Sequence, residues 1–264
     1  MERPLFMEEI AARGVARLTL TRAEKHNAFN DKLIVELTQM LRGLESDPRV
    51  RVVVLAAEGQ SFSAGADLNW MRSMAEYGEE QNLADARQLA SLMATLDGLK
   101  KPTLALVQGP AIGGGVGLVA CCDIAIAASS AFFCLSEVRL GLSPSVISPY
   151  VVAAIGRRAA RRFFLTAERF SADEAEALGL VHEVVPAALL QSRGEEVIER
   201  LLEGGPQAQA ETKDLIASVA DQPLGPDLSE ETARRIARLR AGSEGQEGMA
   251  AFFEKRKPGW TEDF

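Results

Sequence analysis

One acidic residue, Glu137, lies in a stretch of sequence, residues 132–142, that is otherwise largely apolar. Apolar surroundings disfavour the charged form of a carboxylate and raise its pKa, which suits such a group to proton transfer. A structural role is the alternative, because Arg139 lies two residues away and could pair with Glu137 at a sheet edge. The residues alone leave both a proton-transfer role and an ion pair open.

Two glycine-rich turns each follow a strand-like run of apolar residues. They are residues 63–67 (SAGAD) and residues 113–117 (GGGVG). Glycine lets the backbone approach a ligand closely, and a turn that leads into a helix presents free N–H groups. Each turn alone is typical of a tight connection, but two at neighbouring strand ends could direct one N–H each at a single oxygen. That is the requirement for an oxyanion hole.

The second turn also fits a nucleotide-binding pattern. Gly115, Gly117 and Ala120 match G-x-G-x-x-A, and the acidic Glu137 follows about 20 positions on. However, only about five residues separate Gly117 from the next predicted strand at Asp123, too few for the crossover helix of a dinucleotide-binding fold. The sequence therefore disfavours a nicotinamide cofactor.

The other reactive side chains do not form a second constellation. Cys121, Cys122 and Cys134 lie in apolar sequence and are predicted to be reduced packing residues. Neither the cysteines nor His26 and His182 show the spacing of metal ligands, and no serine has the G-x-S-x-G context of a nucleophile. We expect no metal site and no serine nucleophile.

Charge and hydropathy narrow the classes of partner. The formal net charge of the 264 residues is −8, which repels nucleic acid on average. The short basic cluster at residues 255–257 is either a solvated helix end or a phosphate contact. No apolar run approaches the roughly 20 residues of a membrane span, and no signal or transit peptide is recognisable. With the unpaired cysteines, this favours a cytoplasmic protein that binds neither nucleic acid nor membrane.

Strands and helices alternate in the part of the chain that must position these residues. The apolar spacing predicts strands at 15–20, 51–56, 103–107 and 123–127, and helices at 31–45 and 82–99. Such alternation predicts an α/β layer with parallel strands and right-handed crossovers.

Helical patterns dominate beyond residue 149. The predicted helices are 148–154, 157–165, 172–178, 187–202, 206–220 and 229–240, and residues 180–185 are the only predicted strand there. We place a boundary near residue 200. Residues 1–200 would form the core with the candidate site, and residues 201–264 a C-terminal helical region.

Several motifs together resemble the enoyl-CoA hydratase/isomerase (crotonase) family. Residues 62–68 (FSAGADL) resemble its loop F-S/A-A-G-A-D-L/I, and residues 101–125 resemble its K-P…G-G-G segment with the following C-D-I. Further matches lie in residues 22–29, 137–142 and 165–175, so the resemblance covers nearly the whole chain. It implies an α/β fold with a crotonase-like ββα spiral core and a C-terminal helical cap that takes part in trimerisation.

By this similarity, the N–H groups of Ala66 and Gly114 would bind a thioester oxygen and Glu137 would transfer the proton. Coenzyme A would be part of an acyl-CoA substrate, so no separate cofactor is expected. The residues along the coenzyme A would be Lys25, Ala28, Ala64, Asp67 and Leu68, with Lys255 at a phosphate. The resemblance further implies a homo-trimer or a hexamer built as a dimer of trimers.

The match departs from the family at one catalytic position. Its hydratases usually carry two glutamates 20 residues apart, and here Glu137 has the second position while Gly117 has the first. Residues 146–152 and the surroundings of both positions look like a bacterial branch that hydrates 3-methylglutaconyl-CoA or isohexenylglutaconyl-CoA, in leucine and terpene breakdown. Arg72 and Arg87 are candidate partners for the second carboxylate of such substrates.

These features predict an enzyme, a carbon–oxygen lyase that adds water to a branched enoyl-CoA. A Δ3,Δ2-enoyl-CoA isomerase is the alternative, since moving one proton between two carbons requires one carboxylate. A non-enzymatic role in RNA binding is disfavoured by the net charge of −8.

Overall fold

A computed structural model describes residues 4–261 of the chain. In this range two sheets form, a six-stranded one of order β1-β2-β3-β4-β6-β9 and a three-stranded one of order β5-β7-β8. In the larger sheet only β1 is antiparallel to its neighbour. The strands are β1 Phe6–Ala11, β2 Val15–Leu20, β3 Val52–Ala57, β4 Thr103–Val107, β5 Ala111–Ile112, β6 Ile124–Ala128, β7 Phe132–Cys134, β8 Arg169–Ser171 and β9 Glu183–Val185.

Helices connect the strands and then continue alone to the C-terminal region. They are α1 Asp31–Ser46, α2 Leu68–Glu76, α3 Glu79–Asp97, α4 Gly114–Ala120, α5 Ser148–Thr166, α6 Ala172–Leu178, α7 Leu190–Glu203, α8 Pro206–Val219, α9 Pro226–Ala241 and α10 Ser243–Glu254. The predicted α/β class with parallel strands is confirmed. No helix in residues 4–261 is long and apolar enough to cross a membrane.

The central strands are apolar on both faces because helices cover both sides of the sheet. Alternate residues of β3 enter different clusters, so Val53 and Leu55 contact the larger core with α1, α3 and α5, while Val52 and Val54 contact the smaller core. Helix α7 closes that smaller core with Leu190, Ile198 and Leu202. This packing fixes the ends of β3 and β4, from which both glycine-rich turns depart.

The helices beyond α7 are fastened to the sheet by polar contacts. Arg51, which precedes β3, donates to the carbonyl oxygens of Gly204 at 2.7 Å and Trp260 at 2.9 Å. Lys213 of α8 contacts Asp123, which precedes β6, with Nζ and Oδ2 2.6 Å apart. The C-terminal helices therefore pack against the edge of the core where β3 and β6 begin.

Two local features differ from or refine the sequence interpretation. The prediction that 180–185 is the only strand beyond residue 149 is wrong, because β8 pairs antiparallel with β7. A three-residue strand is too short to show a periodicity of its own. The two helices predicted at 148–154 and 157–165 form α5 with a break at Gly156, whose φ is +73°.

Candidate active site

The two glycine-rich turns lie side by side at the ends of neighbouring parallel strands. Ile112 N–H donates to the Ser63 carbonyl at 2.9 Å, and Ser63 forms a parallel bridge with Ala111. Gly65 has φ of +83°, and a Cβ atom there would lie 3.0 Å from the Ile112 carbonyl oxygen. Glycine is required at position 65 for both reasons, since a side chain would be strained and would also separate the turns.

Phe29 contacts both turns and orders the N–H groups around Ala66. Its N–H donates to Gly65 O at 2.6 Å, and its carbonyl accepts from Asp67 N–H at 2.7 Å. Its ring lies 2.8 Å from the position that a Cβ atom of Gly114 would take. Phe29 therefore places Ala66 and Gly114 near one another, a role that its residue type does not indicate.

The N–H groups of Ala66 and Gly114 have no acceptor among residues 4–261. Gly114 is the first residue of α4, where a backbone N–H has no intrahelical partner. The bonds of Gly65 and Asp67 with Phe29 lie on either side of Ala66 and leave its N–H unused. Two adjacent turns thus present one unused donor each, as an oxyanion hole requires.

Glu137 lies beside the second turn. It begins a 3-10 helix, Glu137–Leu140, and its Oε1 is 3.0 Å from the position that a Cβ atom of Gly113 would take. Its Oε2 is buried and has no hydrogen-bond partner in the described part of the chain. Burial raises the pKa of the Glu137 carboxyl, and a bond with its own backbone N–H offsets the increase only in part.

The alternative of an ion pair between Glu137 and Arg139 is wrong. The Arg139 guanidinium donates instead to the carbonyl oxygen of Ala167 at 2.7 Å. No cation contributes to the pKa shift of Glu137, and its Oε2 has no hydrogen-bond partner, so the carboxyl is not neutralised by an ion pair within residues 4–261. A buried carboxyl without a counter-ion favours its protonated form.

Asp67 holds the first turn in place through its side chain. It caps α2 by accepting from Asn69 N–H at 2.8 Å, and its other carboxylate oxygen pairs with Arg22 at 2.9 Å. Arg22 also donates to the carbonyl of Ala28 at 2.6 Å. Burial alone would raise the pKa of Asp67, but the Asn69 bond and the Arg22 guanidinium outweigh it and the pKa is lowered. Both oxygens of the Asp67 carboxylate therefore have partners within the protein.

The residues predicted to lie along coenzyme A form one neighbourhood. Ala64 N–H donates to the carbonyl of His26 at 2.9 Å, and Ala28 N–H donates to the carbonyl of Lys25 at 3.0 Å. The Lys25 side chain is exposed, as is Leu68 at the start of α2. The turn that contains Lys25 thus borders the turn that contains Ala66.

Three further predicted binding residues, Lys255, Arg72 and Arg87, are exposed on the surface. Lys255 follows α10, and no contact in residues 4–261 brings it to the Lys25 turn. Arg72 of α2 donates to Asn69 at 3.2 Å, and Arg87 lies exposed on α3. None of these three cations contributes to the pKa shift of Glu137 in residues 4–261.

Gly117, the other predicted catalytic position, lies one turn along α4 from Gly113. Its N–H bonds to the Gly113 carbonyl at 3.3 Å, and a Cβ atom on it would lie 2.3 Å from Cγ2 of Ile147. No carboxylate can take this place in the present packing. The sequence does not indicate this contact, because Ile147 carries no reactive group and is distant from Gly117 along the chain.

Known proteins share this sequence and fold along nearly the whole chain. The sequence model of the family described as "Enoyl-CoA hydratase/isomerase" matches residues 11–263. A solved enoyl-CoA hydratase from Shewanella pealeana is 48% identical with a TM-score of 0.94, covering 97% of this chain and 96% of that one. AtuE from Pseudomonas aeruginosa is 38% identical with a TM-score of 0.93, covering 98% and 100%. The 2,3-dehydroadipyl-CoA hydratase of Escherichia coli is 32% identical over 246 residues, 92% and 94% of the two chains.

Proposed function

As the chain belongs to the enoyl-CoA hydratase/isomerase family and is an enzyme of the hydratase type, we propose that it adds water to the α,β-double bond of a branched enoyl-CoA. The proposed substrate is 3-methylglutaconyl-CoA or isohexenylglutaconyl-CoA. The observation that carries the proposal is the buried Glu137 carboxyl beside the turn that supplies Gly114 N–H. The E. coli relative, named for a dehydroadipyl thioester, supports a substrate with a second carboxylate.

In this proposal the thioester carbonyl oxygen accepts from the N–H groups of Ala66 and Gly114. Attack of water at Cβ moves electrons onto that oxygen and forms an enolate. Because the two donors are fixed by the backbone, they stabilise the enolate without reorganisation. One such donor is typically worth about 2.7–4 kcal/mol of barrier.

A single carboxyl can carry both proton transfers of the addition. Protonated Glu137 gives the proton on one oxygen to Cα, and its other oxygen takes a proton from the water whose oxygen bonds to Cβ. The C=C π bond and one O–H bond of water break, new C–H and C–O bonds form, and Glu137 ends protonated. The unpartnered Oε2 supports this relay. No cofactor takes part, since coenzyme A belongs to the substrate.

The isomerase remains the second candidate because position 117 has no carboxylate. An isomerase moves one proton from Cα to Cγ of a 3-enoyl thioester and needs no water. We would supply a 3-enoyl-CoA and follow the absorbance of the conjugated product. If the conjugated product forms faster than the enzyme hydrates any enoyl-CoA, the isomerase replaces the hydratase as the proposed function.

The direct test is loss of the conjugated-thioester absorbance when the enzyme meets 3-methylglutaconyl-CoA, with the product identified by mass. Isohexenylglutaconyl-CoA and unbranched crotonyl-CoA serve as comparison substrates. We expect hydration of one branched substrate at a higher kcat/KM than crotonyl-CoA. Hydration of crotonyl-CoA alone would refute the branched substrate, and no hydration of any of the three would refute the hydratase.

A further inference from the structure

Position 117 is closed to every side chain by two buried residues. A Cβ atom on Gly117 would lie 2.3 Å from Cγ2 and 3.0 Å from Cβ of Ile147, and 3.2 Å from Cε of Met93. Ile147 is 2% exposed and Met93 is fully buried, so neither side chain can move into solvent. Even alanine at position 117 therefore requires a shift in the core.

Ile147 is held more firmly than Met93. A β-branched side chain has few χ1 alternatives, whereas methionine adapts its shape through three rotatable bonds. The Ile147 carbonyl also accepts from Val151 N–H at 3.1 Å, which ties its backbone to the first turn of α5. The β-methyl group of Ile147, Cγ2, is thus the fixed obstacle.

The obstacle lies one helical turn from the Glu137 carboxyl. Glu137 Oε1 contacts the Gly113 end of α4, and Gly117 N–H bonds to the Gly113 carbonyl. A side chain at position 117 would therefore begin one turn further along α4 from the proton-transfer group. An acidic side chain that spans this one turn, about 5.4 Å along the helix axis, could bring a second carboxyl to Glu137.

We propose that Ile147 is a specificity-determining residue, whose Cγ2 keeps position 117 free of side chains and so restricts the acid–base chemistry of the site to Glu137. The catalytic half of this inference rests on the proposed hydration, whereas the steric half does not. The two halves are therefore tested separately.

The steric half is tested by Gly117→Ala in three backgrounds, with Ile147, Ile147→Val or Ile147→Leu. Valine keeps the β-branch, while leucine conserves the volume but moves the branch to Cγ. We expect Gly117→Ala to lower Tm by about 5 °C or more beside isoleucine and valine, and by less than half as much beside leucine. If the isoleucine variant does not fold, recovery of folded protein with leucine supports the inference. An equal loss in all three backgrounds, or failure to fold in all three, overturns it.

The catalytic half is tested by Gly117→Glu combined with Ile147→Ala, which removes the obstacle. The matched control is Gly117→Gln with Ile147→Ala, which has the same shape and cannot titrate. We expect the glutamate variant alone to show an added ionisation in the pH profile of kcat/KM. A profile equal to that of the glutamine variant, or an added ionisation in Gly117→Glu with Ile147 intact, overturns the inference. If the wild type hydrates no enoyl-CoA, the proposed function fails, and the stability cycle decides about Ile147 by itself.

Discussion

At the scale of the residue, the Glu137 carboxyl combines burial with a lack of charged neighbours. Its Oε2 has no hydrogen-bond partner in residues 4–261, and desolvation is the main cause of its raised pKa. Such a group holds its proton closer to neutral pH than an exposed glutamate does. The same burial means that ionisation of Glu137 lowers the stability of the folded protein. The protonation state of this one side chain therefore makes both activity and stability depend on pH.

We expect Glu137→Gln to stabilise the protein at neutral pH and not at acidic pH. The pKa of Glu137 is raised in the folded state, so below the unfolded pKa of about 4.3 the carboxyl is protonated in both states and does not lower the free energy of unfolding. As pH rises from there through the folded pKa, the free energy of unfolding falls, because the unfolded state ionises more readily than the folded state. Glutamine stays neutral throughout. The measurement is Tm of both proteins between pH 4 and 8, and a Tm difference that does not grow with pH would contradict the raised pKa.

The same substitution should remove most of the turnover. Loss of a positioned general acid–base typically lowers kcat by about 10²–10⁴, and glutamine conserves the shape that binds the substrate. We therefore expect a large fall in kcat with little change in KM, measured with the branched enoyl-CoA. The matched control is Glu80→Gln on the exposed surface of α3, which should leave kcat unchanged. Unchanged turnover in Glu137→Gln would remove Glu137 from the mechanism.

Glu137 and the glycine turns could be selected from the sequence because each gives a local signal. A lone acid in apolar sequence and glycines after a strand stand out by their residue type. Phe29 and Ile147 could not be selected, since neither side chain carries a group that does chemistry. Their roles come from tertiary contacts with Gly114 and Gly117 that no spacing along the chain encodes.

At the scale of the element, the turn of residues 63–67 depends on the cap of α2. Asp67 uses one oxygen for Asn69 N–H and the other for Arg22, so one carboxylate joins the turn, the helix and the residue 22–28 segment. Those are the elements proposed to contact coenzyme A. Substitutions that break these contacts should therefore lower the free energy of unfolding and weaken substrate binding.

We expect Asp67→Asn to be less harmful than Asp67→Ala. Asparagine is a good N-cap but cannot neutralise Arg22, whereas alanine removes both contacts and loses about 1 kcal/mol more through the cap. The free energy of unfolding in urea and the KM for the enoyl-CoA measure the two effects. Both variants should raise KM, with alanine giving the larger change. Equal stability of the two variants would show that the cap contributes nothing.

Elements were predictable where their pattern was complete. β2, β4 and α6 have the predicted bounds, because an alternation, a mainly apolar run and a capping box are strong local signals. β1 and α2 were missed, since β1 is an exposed edge strand whose residues hardly alternate and α2 buries only Trp70. Their structure comes from pairing with β2 and from the Asp67 cap, which lie outside the local sequence pattern.

At the scale of the whole molecule, the C-terminal helical region exposes more apolar surface than a solvated cap requires. Large side chains there are strongly exposed in the single chain, among them Ile216 (61%), Leu224 (96%), Phe252 (79%) and Phe253 (78%). Phe252 and Phe253 contact each other edge to face, with ring centroids 5.8 Å apart, and exposed apolar patches mark interaction surfaces. It supports the trimer or hexamer that the family resemblance implies, in which Lys255, next to these phenylalanines, could reach a coenzyme A bound by a neighbouring subunit.

Light scattering at physiological salt should give a mass three or six times that of the 28.4-kDa chain. Leu224→Asp should reduce this mass, because burying an unpaired carboxylate at an interface costs several kcal/mol. Leu224→Met keeps the apolar surface and should leave the mass unchanged. If Lys255 binds the coenzyme A of a neighbouring subunit, the dissociated Leu224→Asp variant should also bind coenzyme A more weakly. Lys255→Ala should weaken coenzyme A binding to the same extent while the assembly keeps its mass. A wild type with the mass of a single chain would refute the assembly and leave the apolar surface of the C-terminal helices without its proposed partner.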